Sequence, residues 1–298
     1  MSIRITQNMI SSQLTRNLNH NMRKTELYQQ QLSTGRVINK PSDDPVGVLY
    51  SLRYRSNINA NEEYKNNLDH TKSWLDFTDA MTDQTTDIFH RLKELLTQAA
   101  NGTNPQSALD AIRSEVSELR GQLVSIGNSK LRDNYVFNGQ LTDIEPYSAA
   151  NPAVVTTDSA EISYDLGLGI SIPVNITGND VFGGANAADN IFTIADNMIT
   201  YLGTANRAGL TGLIPSLDQR LEKMLNVRSE VGAKVNRLDF LSSRLEDLGG
   251  NLENLKSKVE DADMAETIMK QKMNESVYQA SLSTGAKIIM PTLVDFLR

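Results

Sequence analysis

Residues 31 to 53, QLSTGRVINKPSDDPVGVLYSLR, gather several residue types able to do chemistry. Arg36 and Lys40 beside Gly35 could cradle an anion, since a glycine turn frees backbone amides next to two cations. Asp43 and Asp44 are adjacent hard oxygen ligands, a start on a calcium or magnesium site. Neither site completes. No G-x-x-x-x-G-K-[ST] loop occurs, Gly167 and Gly169 lack the third glycine of a dinucleotide turn, and no further ligands cluster with the two aspartates. The three histidines, His20, His70 and His90, are far apart and none belongs to an H-E-x-x-H pattern. With no cysteine there is no thiolate metal site, disulfide or thiol nucleophile. Serines are plentiful, but no G-x-S-x-G elbow presents one. No catalytic, cofactor-binding or metal-ligating residue is therefore assigned, and the chain is not read as an enzyme.

The same stretch makes better sense as the break between two helices. Ile5, Ile10, Leu14, Leu18 and Leu32 recur at helical spacing in polar surroundings, and Gly35 just beyond them reads as a left-handed helix stop. So thin an apolar stripe is marginal alone and calls for a partner. Asp44 suits an N-cap, with Pro45 at the first helical position. From there helical periodicity runs to about Ala100, roughly 80 Å at the usual rise. The turn Asn101-Gly102-Thr103-Asn104-Pro105 leads to a second helix from about 106 to 129.

Between about 138 and 188 the texture changes, and residues 161–166 and 169–176 alternate with the period of strands. A helix at about 187–202 and a glycine-spotted connection follow. Leu238, Leu241, Leu245, Leu248, Leu252, Leu255 and Val259 then alternate spacings of three and four, a coiled-coil seam that Val231 continues backward. Asp263-Met-Ala-Glu266 reads as a capping box opening a last helix, with Ile268, Met273, Val277, Ile288 and Leu293 as its apolar positions. Thin helices at both ends can close the arrangement only side by side. Residues 1–40 carry +5 and residues 260–275 carry −3, which suits that pairing.

Composition agrees. Hydrophobic residues make up 39% and aromatics 6% of 298 residues, little core for a deep-pocketed enzyme but enough for narrow helical seams. A net charge of −7 argues against nucleic acid. No apolar run is long enough to span a bilayer, and MSIRITQNMISSQLTRNLNH lacks the apolar centre of a signal peptide. The expectation is a cytoplasmic protein, or one exported by a route that reads no cleaved signal.

Several stretches resemble the flagellin superfamily of bacterial axial proteins. Leu32-Ser33-Thr34-Gly35, Ile38-Asn39, Asp43-Asp44 and Gly47 are similar to its N-terminal signature in order and spacing. Arg91-Leu92-Lys93-Glu94-Leu95 through Asn104 resembles its first long helix and turn, and Glu260 through Ala265 the start of its C-terminal helix. Pro45-Val46-Gly47 and Ser283 to Ile289 depart from filament subunits, while Asp44-Pro45-Val46 with Tyr54-Arg55, Ser125 to Ser129 and Tyr135 to Gly139 resemble the hook–filament junction branch. The resemblance implies a mainly α, elongated helical coiled-coil bundle formed by both chain ends, with a small β insertion. It divides the chain into terminal helices (1–40 with 262–298), lining an axial channel and disordered in the monomer; a helical body (41–140 with 187–261); and an outer β-rich part (141–186). Gly35, Ile38, Asn39, Asp43, Asp44 and Pro45 become an interdomain connector. The implied role is a ring of copies of this chain, with the first hook-associated protein and flagellin as neighbours. Export would use the flagellar type III apparatus and an export chaperone, without a cleaved signal, to an extracellular place in the flagellum. Neither nucleic acid nor a small-molecule substrate is implied. A filament subunit, and more distantly a soluble helical binding module, stay open as alternatives.

Overall fold

The computed structural model describes residues 7–289 apart from 103 and 168. Among these the chain is mainly α, with two small two-stranded sheets. The elements are α1 (Gln7–Thr34), α2 (Pro45–Ala100), α3 (Gln106–Gly127), β1 (Lys130–Leu131), β2 (Asn134–Tyr135), a 3-10 turn (Pro152–Val154), β3 (Ser163–Gly167), β4 (Ile170–Pro173), α4 (Gly178–Phe182), α5 (Ile191–Gly203), α6 (Arg207–Glu260) and α7 (Met264–Ile289). They form two compact units, residues 1–60 with 248–298, and residues 61–247.

In the larger unit α2 and α6 run antiparallel. Lys93 pairs with Asp218 at 2.7 Å, Asp83 with Arg228 at 2.8 Å and Lys72 with Asp239 at 2.6 Å, while Asn61 Nδ2 donates to the Leu245 carbonyl at 3.0 Å. Exposed pairs of this kind add little stability each. They do fix the register. Val231, Leu238, Leu241 and Leu245 of α6 are all buried.

The buried face of α2 differs from what apolar periodicity alone predicts. Leu68, Thr71, Leu75, Thr78, Thr82, Thr85, Phe89, Leu92, Leu96 and Ala99 alternate steps of three and four, and every one is buried. Four of these seam positions are threonine. Thr78, Thr82 and Thr85 donate their hydroxyls to carbonyls of their own helix, those of Trp74, Asp79 and Met81, at 2.8, 2.9 and 2.8 Å. Such back-bonding satisfies a buried hydroxyl without help from a neighbouring helix.

α3 packs on α5, burying Leu109, Ile112, Val116 and Leu123. α6 begins at Arg207, earlier than Gly209, Gly212 and Pro215 suggest from propensity. Packing explains the difference: Leu210, Leu213 and Leu217 bury one face, and Gly209 lies against the Tyr201 ring, where a Cβ would fall within 3.0 Å.

The insertion holds the antiparallel hairpin β3–β4, with a register irregularity between Asp165 and Gly167. Pro173 sits opposite Ser163 in a non-hydrogen-bonded pair, where its missing N–H costs the ladder nothing, and Val174 N–H donates to the Ile162 carbonyl at 2.9 Å just beyond it. A side chain carries the pairing on: Asn175 Oδ1 accepts from Ile162 N at 2.9 Å and its Nδ2 donates to the Ala160 carbonyl at 2.7 Å. The hairpin β1–β2 has strands too short to leave a periodic signal, and Arg132 and Asp133 turn it with φ of 49° and 71°.

Beneath the insertion Phe137, Phe182, Phe192 and Tyr147 form one aromatic cluster, with ring centroids 5.1 to 5.6 Å apart. Burial pushes the Tyr147 phenol well above its usual range, so it stays neutral. Arg220 of α6 reaches in with only 3% of its side chain exposed. It donates to the carbonyls of Asp189 and Asp180, both at 2.9 Å, and pairs with the Asp189 carboxylate, which Lys223 also contacts at 2.8 Å.

Candidate functional site

The smaller unit contains two connectors, residues 35–44 between α1 and α2 and residues 261–263 between α6 and α7. They are bonded to each other. Val37 N–H donates to the Glu260 carbonyl and Ala262 N–H to the Gly35 carbonyl, each at 2.8 Å, so that Arg36 and Asp261 face one another in an isolated antiparallel bridge. Gly35 allows this. Its N–H closes α1 on the Gln31 carbonyl at 2.8 Å, and its φ of 71° then turns the chain in the left-handed region that glycine tolerates.

The two aspartates bind backbone. Asp43 Oδ2 accepts the N–H groups of Asn39 and Lys40 at 3.1 and 2.8 Å, and Asn39 Nδ2 donates to the Arg36 carbonyl at 3.0 Å. Asp44 Oδ1 accepts Val46 N–H at 3.1 Å just beyond Pro45, which is N-cap geometry. Gly47 is buried under Asp44 and Ile38, and a Cβ there would lie within 3.0 Å of both side chains. The stretch folds into a stapled turn. Its carboxylates are already engaged.

At its centre stands a residue that sequence reasoning treats only as part of an acidic helix start. The Glu260 side chain is 3% exposed and meets Arg36 at 3.1 Å, Ser51 Oγ at 3.3 Å and the Arg55 guanidinium. A cavity of about 240 Å³ beside it is lined by Arg36, Lys40, Ser51 and Arg55 among others. The available signal is positional. Glu260 is the last residue of α6, where the helix dipole opposes a carboxylate, so cations from elsewhere must meet it.

Beyond the joint α1 and α7 pack together. Leu14, Leu18 and Leu32 are half-buried and Ile10 is exposed. α7 answers with small and polar residues: Thr267, Asn274 and Gly285 are buried. Asn274 Nδ2 donates to the Asn21 carbonyl at 2.9 Å and to Thr25 Oγ1 at 2.7 Å, and Gly285 admits the Leu14 side chain. Ile268, Met273 and Val277 lie outside this seam, 47%, 65% and 47% exposed. Ile5 and Leu293 fall outside the described residues, and Ile288 is placed in α7 by its backbone alone. Asp263 Oδ1 accepts Glu266 N–H at 3.0 Å, while the Glu266 carboxylate turns to Lys270 at 3.0 Å, so one arm of the capping box forms.

The end of the α6 seam is half covered. Leu252 is buried and Val259 half-buried, but Leu248 and Leu255 are 45% and 42% exposed. His20, His70 and His90 are exposed on their helices. Among the described residues no three His, Cys, Asp or Glu side chains cluster as a metal site, and no helix is long and apolar enough to cross a membrane.

The bridge gives a direct test. Arg36 and Asp261 stand opposite each other between two ladder bonds, the closely spaced kind of antiparallel pair whose Cα separation suits a disulfide. In this cysteine-free chain R36C/D261C is expected to oxidise rapidly and completely to an internal disulfide, seen as a shifted band without reductant. Persistently free thiols would show that the two backbone bonds do not hold the connectors together once Arg36 is replaced.

Comparison with known proteins matches this geometry to a class. Residues 5–142 match the bacterial flagellin N-terminal helical region and residues 214–297 the bacterial flagellin C-terminal helical region. The chain belongs to the bacterial flagellin family. It is a structural, non-enzymatic flagellar protein, related both to flagellins and to hook-associated protein 3. A flagellin of Halalkalibacterium halodurans is 24% identical over 93% of this chain and 92% of its own length. The flagellar hook-associated protein 3 of Escherichia coli K12 is 23% identical over 94% and 95%. Among solved structures, flagellar hook associated protein-3 from Legionella pneumophila superposes with a TM-score of 0.63 at 17% identity, covering 69% of this chain and 98% of that one.

Proposed function

We propose that this chain is a hook–filament junction protein, forming a ring of identical subunits between the hook side, through the first hook-associated protein, and the flagellin filament. The observation that carries this reading lies in the joint. Pro45-Val46 and Tyr54-Arg55, which resemble the junction branch, lie at and just beyond it, where Pro45 opens α2 and Arg55 holds Glu260. A subunit meeting two different lattices needs a defined path from its terminal helices into α2 and α6, and the joint holds that path. The exposed Ile268, Met273 and Val277 suit contacts with neighbouring subunits, since large apolar groups left uncovered mark association surfaces. Export by the flagellar type III apparatus, with a chaperone covering α7, keeps those side chains from aggregating before assembly. The place of action is then extracellular, in the flagellum.

A deletion strain tests the role. The expected result is cells that retain hooks yet release flagellin into the medium. Cells that keep a complete junction and lose only filament protein would instead make the chain a filament subunit. The same reading holds that α1 and α7 become fully ordered only in the ring, because their mutual seam is thin and polar. Amide exchange in the dilute monomer should therefore be fast across both helices, and slow exchange there would contradict it.

A further inference from the structure

We propose that Glu260 is the positioning residue of the joint: its buried carboxylate, held by Arg36 of the first connector and Arg55 of α2, fixes the direction in which both terminal helices leave. The proposal deepens the junction reading and rests on it.

Glu260 is 2% exposed at the C-terminal end of α6. That is an unfavourable place for a carboxylate twice over, since burial removes water and the helix end carries partial negative charge. Several donors offset this, and they come from separate parts of the chain: Arg36 at 3.1 Å, Ser51 at 3.3 Å, and Arg55. The main chain of the same residue accepts Val37 N–H at 2.8 Å. One residue thus ties the end of α6, the first turns of α2 and the first connector together.

The arrangement also depends on the negative charge itself. Arg36 and Arg55 both reach the same carboxylate oxygen, and Lys40 lines the adjoining cavity. Without the charge, two guanidinium groups face each other at close range with a third cation beside them. Both arginine side chains are about half exposed, so they can swing out into water. The predicted failure is therefore release of the connector bridge, with the helices of residues 61–247 left intact.

Three variants of the full chain test this: E260Q, R55Q and E260Q/R55Q. E260Q is expected to raise amide exchange at Val37 and Ala262 about tenfold or more, with no change in α3 and α5. R55Q is expected to be milder, because Arg36 and Ser51 still hold the carboxylate. The double variant should recover part of the E260Q defect, since one of the two facing guanidinium groups is gone, and that non-additivity is a signature mere loss of packing does not give. In cells, E260Q should leave secretion normal and make filaments detach under weaker shear. Unchanged exchange at Val37 and Ala262, amides already unprotected in the parent chain, or a rise spread equally into α3 and α5 would overturn the proposal. The junction reading fails on a different result, a deletion strain with normally attached filaments.

Discussion

Arg220→Ala is expected to lower the unfolding free energy by about 3–5 kcal/mol, the usual cost of leaving one member of a buried, hydrogen-bonded charge pair without its partner. The guanidinium is 3% exposed and does three things at once: it satisfies the carbonyls of Asp180 and Asp189, and it neutralises the Asp189 carboxylate. Truncation orphans two carbonyls beside the aromatic cluster, and Lys223, half exposed, cannot reach them from its side of Asp189. Trp74, half-buried against the core of the same unit, reports the transition in denaturant. Lys223→Ala should cost under about 1 kcal/mol, as exposed pairs do, and a similar loss for the two variants would refute the anchoring role of Arg220.

The same cluster predicts an acid response. Burial alone would raise the Asp189 carboxyl, but Lys223 and Arg220 outweigh it and hold the carboxyl below its usual value. A folded value below the unfolded one gives stability that is fully present above about pH 4 and is lost as pH falls through the folded value. In Arg220→Ala that part of the acid sensitivity should shrink.

In the junction role proposed above, Gly285→Val is expected to weaken filament attachment in swimming cells. A Cβ on Gly285 would fall within 3.0 Å of one Leu14 methyl carbon, with two more Leu14 carbons closer than ordinary van der Waals contact. Overfilling a packed contact costs about 1–3 kcal/mol in general. Here it falls on a pair of helices whose apolar seam is thin, with Leu14, Leu18 and Leu32 only half-buried beside a few polar contacts. Adding Leu14→Ala restores the space and should recover attachment, as measured by filament length and retention after shear. Normal attachment in Gly285→Val would show that α1 and α7 do not approach at this point during assembly.

Local signals in the sequence located the helix ends well. Gly35 stops α1, and Asp44 with Pro45 starts α2, because each does its work on atoms two to four residues away. The residues that escaped act at a distance or through chemistry that hydropathy ignores. Glu260 finds its partners more than 200 positions away in Ser51 and Arg55, and no local pattern encodes that meeting. Thr71, Thr78, Thr82 and Thr85 occupy core positions as polar residues, so a count of apolar side chains leaves a gap where the structure has a continuous seam. Asn175 extends a sheet through its side chain beyond the last backbone bond, Val174 N–H to the Ile162 carbonyl. The start of α6 was hidden by glycines and a proline whose cost is offset by Leu210, Leu213 and Leu217.

The threonine seam has a mechanical consequence. Because Thr78, Thr82 and Thr85 spend their hydroxyls on their own helix, no hydrogen bond from them spans to a neighbour along that stretch of α2. The surface they present is smooth in polar terms, a slip plane, and the register of α2 against α6 rests on the ion pairs placed along it and on the Asn61–Leu245 bond at its end. Small axial shear along that stretch then breaks exposed ion pairs, which re-form readily; the buried bond from Asn61 Nδ2 to the Leu245 carbonyl, at the end of the paired helices, is the exception. In the junction role proposed above, where a bending part would meet a stiff one, the subunit gains a compliant layer inside the α2–α6 pair.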